Sequence, residues 1–283
     1  MAESAVKTAP PQPDSPLPRL VEELAHRADS AVRSFGRMVI MAGSGLRHLV
    51  LDIARGRFPL SEMLAQAWFV VSVAIVPAIL IAIPFGATVS IQVGTLIRQV
   101  GATSVAGAAA GLGILRQGAP LVTALLMGGA VASAIAADLG SRSVREEIDA
   151  LRVIGVDPVQ RLVAPRMAAA VLVAPLLCVF VVVTGIVTGY LFNVVLQGGV
   201  PGSYFDSFAN FVTPVDLAIA LIKSTIFGFL VIVIGCHCGL EARGGSKGVA
   251  LAVNSAVVIG VLTTVAVNAV ITELVAQFVP RVV

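Results

Sequence analysis

Five long apolar runs, separated by short segments holding most of the charge, set the pattern of the chain. Leu64–Ile97 is 34 residues without a charged side chain, and Ala102–Ala137 is interrupted only by Arg116. Met167–Phe205 carries no charge, Leu217–Leu240 only Lys223, and Val249–Thr272 none. A bilayer span needs about 20 apolar residues at a rise of about 1.5 Å each. The pattern therefore predicts an all-α polytopic membrane protein with spans at about 64–97, 102–137, 163–197, 214–239 and 249–279. Pro77 and Pro84 in the first run, and "RQGAPL" (Arg116–Leu121) in the second, are expected to bend or break their helices, which makes six spans the alternative.

Ahead of the first span the period changes. Leu17, Leu20, Val21, Leu24, Ala28, Ala31, Val32 and Phe35 recur close to every 3.6 residues, interleaved with seven arginines between Arg19 and Arg57. This predicts an amphipathic helix lying in the membrane interface over residues 19–60, its Arg side chains toward anionic headgroups. Residues 1–18 are polar and hold five prolines, and are expected to form a disordered tail. The remainder, residues 61–283, holds the five apolar runs.

Composition agrees with a membrane protein: 57% of residues are hydrophobic and 12% charged, against about 25% charged in soluble domains. The distribution of Lys and Arg sets the orientation. Eight of the 19 lie before the first span, five in the 138–166 connection and two in the 241–247 loop. Placing those three segments in the cytoplasm puts the N-terminus inside and the C-terminus outside the plasma membrane.

The chain carries no nucleotide-binding loop: "RGGSKG" (Arg243–Gly248) lacks the required spacing and follows a span rather than a strand. Cys236-His237-Cys238 cannot close a tetrahedral metal site, because alternate helix positions point roughly 200° apart. No metal, catalytic residue or nucleic-acid partner is expected. Ionisable groups within spans are costly and mark function by default. Arg116 and Lys223 qualify, with Gln92 and Gln117 as polar companions, and these four are the candidate contacts of a transport pathway.

The charged island between the second and third runs reads as a short helix over 142–156. Val144, Ile148 and Leu151 form one apolar stripe, and Glu146, Glu147, Asp149 and Arg152 cover the other faces. Ser143 and Glu146 have capping-box spacing, and Gly155 and Pro158 end the pattern. A striped helix on so short a connector suits docking into a partner's groove.

The stretch "RQGAPLVTALLMGGAVASAIAADLGSRSVREEIDALRVIGVDPVQRLVAPR" (Arg116–Arg166) resembles the signature region of MlaE/YrbE permeases. "LIKSTIFG" (Leu221–Gly228) and "GCHCGLEARGGSKGVALAVNSAVV" (Gly235–Val258) are similar to two further family motifs in the same order. "REEIDAL" with "RGGSKG" and "AVNSAVV" is most similar to the actinobacterial A-type subunit. The chain departs at Gln117, where many relatives have Glu. The resemblance implies a non-catalytic permease subunit of an ATP-driven lipid transporter, working in the import direction. It implies that Glu146, Glu147, Ile148, Asp149 and Leu151 form a coupling helix seated on a cytoplasmic ABC ATPase dimer, which binds ATP and Mg. The further partners it implies are a homologous B-type permease, MCE proteins on the outer side and membrane lipid. An ATP-independent channel or secondary transporter is the alternative, although no acidic relay or inverted repeat is evident.

Overall fold

The computed structural model describes residues 16–56, 58–99, 101 and 105–278, with side chains from residue 29 onward except at 31. The expected tail lies outside the described residues as far as 15. Its last three residues already belong to the helix α1 (Pro16–Ala54), because Pro16 and Pro18 occupy the first turn, where no intrahelical N–H is needed.

The part of α1 up to Ile40 forms a unit of its own. Val32, Phe35 and Val39 lie on one face of it and are 69, 62 and 51% exposed, and Arg33 pairs with Asp29 one turn back. From Met41 onward the chain forms the second unit. In it Gly45 sits against the Met167 sulfur, His48 Nε2 lies 3.3 Å from Asp157 Oδ2, and Gln160 Nε2 donates to Asp52 Oδ2 at 3.0 Å.

Among the described residues, five helices are long and apolar enough to cross a bilayer. The first is α2 (Leu60–Gln99). The second span, Ala106–Val144, is continuous through α3 (Ala106–Gly113), α4 (Ala119–Leu126) and α5 (Ala132–Val144), joined by wide π-helical turns at Ile114–Gly118 and Met127–Val131. The short α6 (Glu147–Val153) follows. The third span, Val159–Leu196, has α7 (Ala164–Tyr190) at its centre. The amphipathic α8 (Pro201–Phe211) precedes the fourth span, α9 (Pro214–Leu240), and the fifth is α10 (Gly245–Phe278). At 40 residues α2 is about 60 Å long, roughly twice the thickness of a hydrocarbon core.

The expected breaks are absent. Neither Pro77 nor Pro84 ends α2, and "RQGAPL" widens into a π turn instead of breaking. Proline removes one donor, but a membrane helix re-satisfies the freed carbonyls locally. In the π turn the Ala119 N–H reaches back to the Ile114 carbonyl, so the ladder continues past Pro120.

Without a hydrophobic drive between helices in lipid, close approach of small residues packs the bundle. The small-residue stretches Gly107–Gly111 ("GAAAG") and Gly185–Gly189 ("GIVTG") serve that purpose. Gly107 and Gly111 receive Tyr204, Ser207 and Phe208 of α8, while Gly185 faces Gly86 so closely that a Cβ on Gly86 would lie 2.9 Å from the Gly185 carbonyl oxygen. The first span packs chiefly on α7, α7 on α9, and α5, α9 and α10 on one another. Phe227, Ile135, Leu139, Met127 and Ile232 are fully buried among them.

Candidate functional site

Ion pairs lie near both ends of the bundle. At the end formed by α6 and the α9–α10 turn, the second span leaves the bundle at Val144 and turns sharply before α6. Glu146 makes that turn with φ 61° and ψ 13°, a left-handed conformation unusual outside glycine, and caps α6 without any side-chain bond. The capping box expected at Ser143 and Glu146 is therefore not formed. The Ser143 hydroxyl lies 3.1 Å from the Ala242 carbonyl and 3.4 Å from that of Leu240, so it bonds the far end of α9 instead of capping its own helix. Residues 142–144 finish the second span, and α6 is seven residues long rather than fifteen. Gly155, with φ 81°, ends it as expected.

The stripe faces inward at Ile148 and Leu151, while Val144 is exposed. Ile148 is 3% exposed within this chain's own bundle and Leu151 is half-buried. The apolar side chains that α6 presents outward come from its C-terminal end, where Val153 is 87% and Ile154 71% exposed. Around them Glu146 and Asp149 are exposed; Asp149 pairs with Arg152 at 2.8 Å, and Glu147 with Arg145 at 2.9 Å.

At the base of this connector lies an ionic group that sequence reasoning missed. Arg166, 2% exposed, donates from Nη2 to Asp138 Oδ2 at 2.5 Å and from Nη1 to the Leu162 carbonyl at 2.7 Å. Arg142 Nε reaches Asp138 Oδ1 at 3.2 Å. Both partners count in the sequence only as charges flanking a connection; 28 residues separate them, and no local pattern joins them.

At the opposite end the candidate residues Arg116, Gln117 and Lys223 come together with partners that were not anticipated. Asp216, 4% exposed, accepts from Arg116 Nε at 2.6 Å, from the Thr213 N–H at 3.0 Å and from Thr213 Oγ1 at 2.8 Å. Thr213 and Asp216 form a reciprocal capping box with Pro214 at the first helical position of α9. The pattern Thr-Pro-Val-Asp carries the signal for this box, and sequence reasoning passed over it. Lys223, 2% exposed, donates from Nζ to Thr272 Oγ1 at 2.9 Å, and Thr272 Oγ1 lies 3.3 Å from Gln117 Oε1. The buried Asn268 and Thr264 continue the same face of α10 one and two turns away. Gln92 is not part of this group. It is exposed on α2, on a stripe with Thr88, Thr95 and Gln99.

Beside this end, Arg98 bonds Gln197 across a cavity of about 180 Å³ walled by Gly94, Asn193, Gly199 and Tyr204. Burial pushes the Tyr204 phenol up to about 12, so it stays protonated at physiological pH.

Five apolar spans, with ion pairs near both ends of the bundle, define a multi-pass membrane protein. Residues 63–274 match the family described as Permease MlaE. A probable ABC transporter permease protein of Synechocystis sp. is 34% identical over 212 residues, covering 75% of this chain and 81% of that one. One of Rickettsia prowazekii is 32% identical over 189 residues, 67% of this chain and 73% of its own. The chloroplastic protein TRIGALACTOSYLDIACYLGLYCEROL 1 of Arabidopsis thaliana is 33% identical over 177 residues, 62% of this chain and 51% of that one. The chain belongs to the MlaE family of ABC transporter permeases.

Proposed function

We propose that the chain is the membrane subunit of an ATP-driven lipid importer, docking a separate cytoplasmic ATPase through α6 and forming the lipid path with a second permease. The observation that carries this reading is α6 itself, a short helix between two spans whose C-terminal end exposes Val153 and Ile154 beside charged Asp149 and Arg152. Two exposed apolar side chains within a polar rim suit a partner's groove. In this reading the α6 end faces the cytoplasm of the plasma membrane, where most of the Lys and Arg lie, and the N-terminus lies on the same side with α1 in the interface. Glu146, Glu147 and Asp149 supply the rim, while Ile148 and Leu151 seat α6 on its own bundle. ATP and Mg belong to the ATPase dimer. MCE proteins on the outer side and a homologous B-type permease complete the assembly.

A lipid cargo accords with the apolar spans and sparse polar groups, and with the diacylglycerol lipid in the name of the Arabidopsis relative. The intramembrane groups Arg116, Gln117 and Lys223 serve as headgroup or gating contacts, and Gln92 faces the path from α2. The test is purification of the complex in mild detergent, followed by mass spectrometry of bound lipid. An ATPase subunit is expected to come down with the wild-type chain and to be lost from Val153→Asp/Ile154→Asp. An ATPase that never accompanies the wild type sinks the reading and leaves an ATP-independent channel or transporter.

A further inference from the structure

We propose that Asp138 and Arg166 are positioning residues that clamp the neck of the α6 connector, so that α6 and the third span move as one body. The inference rests on the reading that α6 receives the ATPase.

The connector leaves the second span and returns to the third between these two residues, and their ion pair closes it at the base. Arg166 is almost wholly out of water, so its polar contacts must come from inside the bundle. Its fork is divided between two anchors, the Asp138 carboxylate at 2.5 Å and the Leu162 carbonyl at 2.7 Å, which fixes its direction as well as its distance. Arg142 Nε occupies the other Asp138 oxygen at 3.2 Å, so the carboxylate is held from both sides.

Beyond the clamp the connector contains two swivels. Glu146 and Gly155 flank α6 with φ of 61° and 81°, so a helix of two turns hangs between two sharp reversals. A rod mounted that way transmits a push only if its base cannot open. Ile148, buried on the bundle, and the Ser143 bond to the Ala242 carbonyl seat the near side of the connector. On the returning side the clamp is what joins the start of α7 to the second span through directed, charge-assisted bonds. With it intact, displacement of α6 reaches the second and third spans together. Without it, α6 swings on its two turns and the push is dissipated.

A buried ion pair replaced by apolar residues of similar volume often keeps its stability while losing directional bonds. Asp138→Leu/Arg166→Met therefore removes the clamp without leaving a buried unpaired charge, since Arg142, the other partner of Asp138, is 38% exposed and stays solvated. The experiment uses the full complex, with spin labels at Ala150→Cys, exposed on α6 and outside the docking pair, and Leu172→Cys in a Cys238→Ser background. Distances are measured without nucleotide and after trapping with ATP, Mg and vanadate. The wild-type pair is expected to give one narrow distribution that trapping leaves in place. In the double variant it broadens roughly twofold and shifts on trapping, as expected of a hinged rigid body, with thermal midpoint and ATPase co-purification unchanged. Arg166→Lys, which keeps the charge but cannot hold both anchors, falls between the two.

A double variant as narrow and as static as the wild type overturns the clamp. A double variant that broadens only alongside a lowered midpoint or lost assembly also overturns it, because the pair would then be a fold staple. Should that variant fail to assemble, Arg166→Lys alone decides by the same criteria. If the wild-type complex brings down no ATPase, the docking reading itself falls, and this appears in the purification before any label is read.

Discussion

Removing the Asp216 carboxylate should unravel the start of the fourth span far more than removing the arginine it binds. Asp216 is 4% exposed and accepts from the Thr213 N–H, from Thr213 Oγ1 and from Arg116. Loss of its share of the capping box is worth about 1 kcal/mol. The Arg116 bond is charge-assisted and 2.6 Å long, but the Arg116 side chain is 53% exposed, so solvent screening holds its contribution to about 1 kcal/mol. Asp216→Ala should therefore destabilise the first turn of α9 by about 2 kcal/mol, and Arg116→Gln by about 1 kcal/mol. Asp216→Asn falls between them, since its amide oxygen still accepts from Thr213. Hydrogen exchange of the amides over residues 213–218, in the detergent-solubilised protein, reads the effect locally. Asp216→Ala should speed exchange roughly 30-fold and Arg116→Gln roughly fivefold, at about 1.4 kcal/mol per decade. Exchange within twofold of wild type in Asp216→Ala, or a larger effect from Arg116→Gln, refutes the reasoning.

Other perturbations separate folding from function. Lys223→Met keeps the volume of a buried side chain and removes a charge, so the thermal midpoint should hold or rise while lipid movement falls at least about tenfold; unchanged lipid movement would remove Lys223 from the path. Glu146→Gly relieves a left-handed position and should change stability by no more than about 1 kcal/mol, whereas Glu146→Val should lose more than that; comparing the two melting curves decides it. Gly107→Ala drives a methyl into the Tyr204 carbonyl of α8, so proteolysis between the third and fourth spans should accelerate sharply, and an unchanged digest would contradict the packing.

How much of this could be read beforehand follows from the range of each interaction. The spans were legible because a run of 20 or more apolar residues needs no partner to identify it. Of the two outcomes open at the prolines, bend or break, the break does not occur, since helices in lipid close around a missing donor by local adjustment, as the turn at Ile114–Gly118 does. The presence of α6 was legible from its charges and from Gly155, but its start was not. Ser143 had the chemistry of a cap and bonded α9 instead, about 100 residues away in the chain. The direction of the stripe was likewise hidden: periodicity puts Val144, Ile148 and Leu151 on one face, and only the packing turns Ile148 inward. The candidates Arg116, Gln117 and Lys223 were chosen singly for the cost of burying them, and their partners Asp216 and Thr272 emerge only when spans two, four and five are assembled.

The central claim is that ATP hydrolysis on a partner moves lipid through this chain. The complex purified with its ATPase should be rebuilt into vesicles of phosphatidylethanolamine and phosphatidylglycerol, and the lipid bound at purification, labelled with a heavy isotope, followed between vesicles. The account predicts movement that requires ATP and Mg, and that stops in Val153→Asp/Ile154→Asp vesicles although the permease is still present. Equal movement with and without ATP would contradict it.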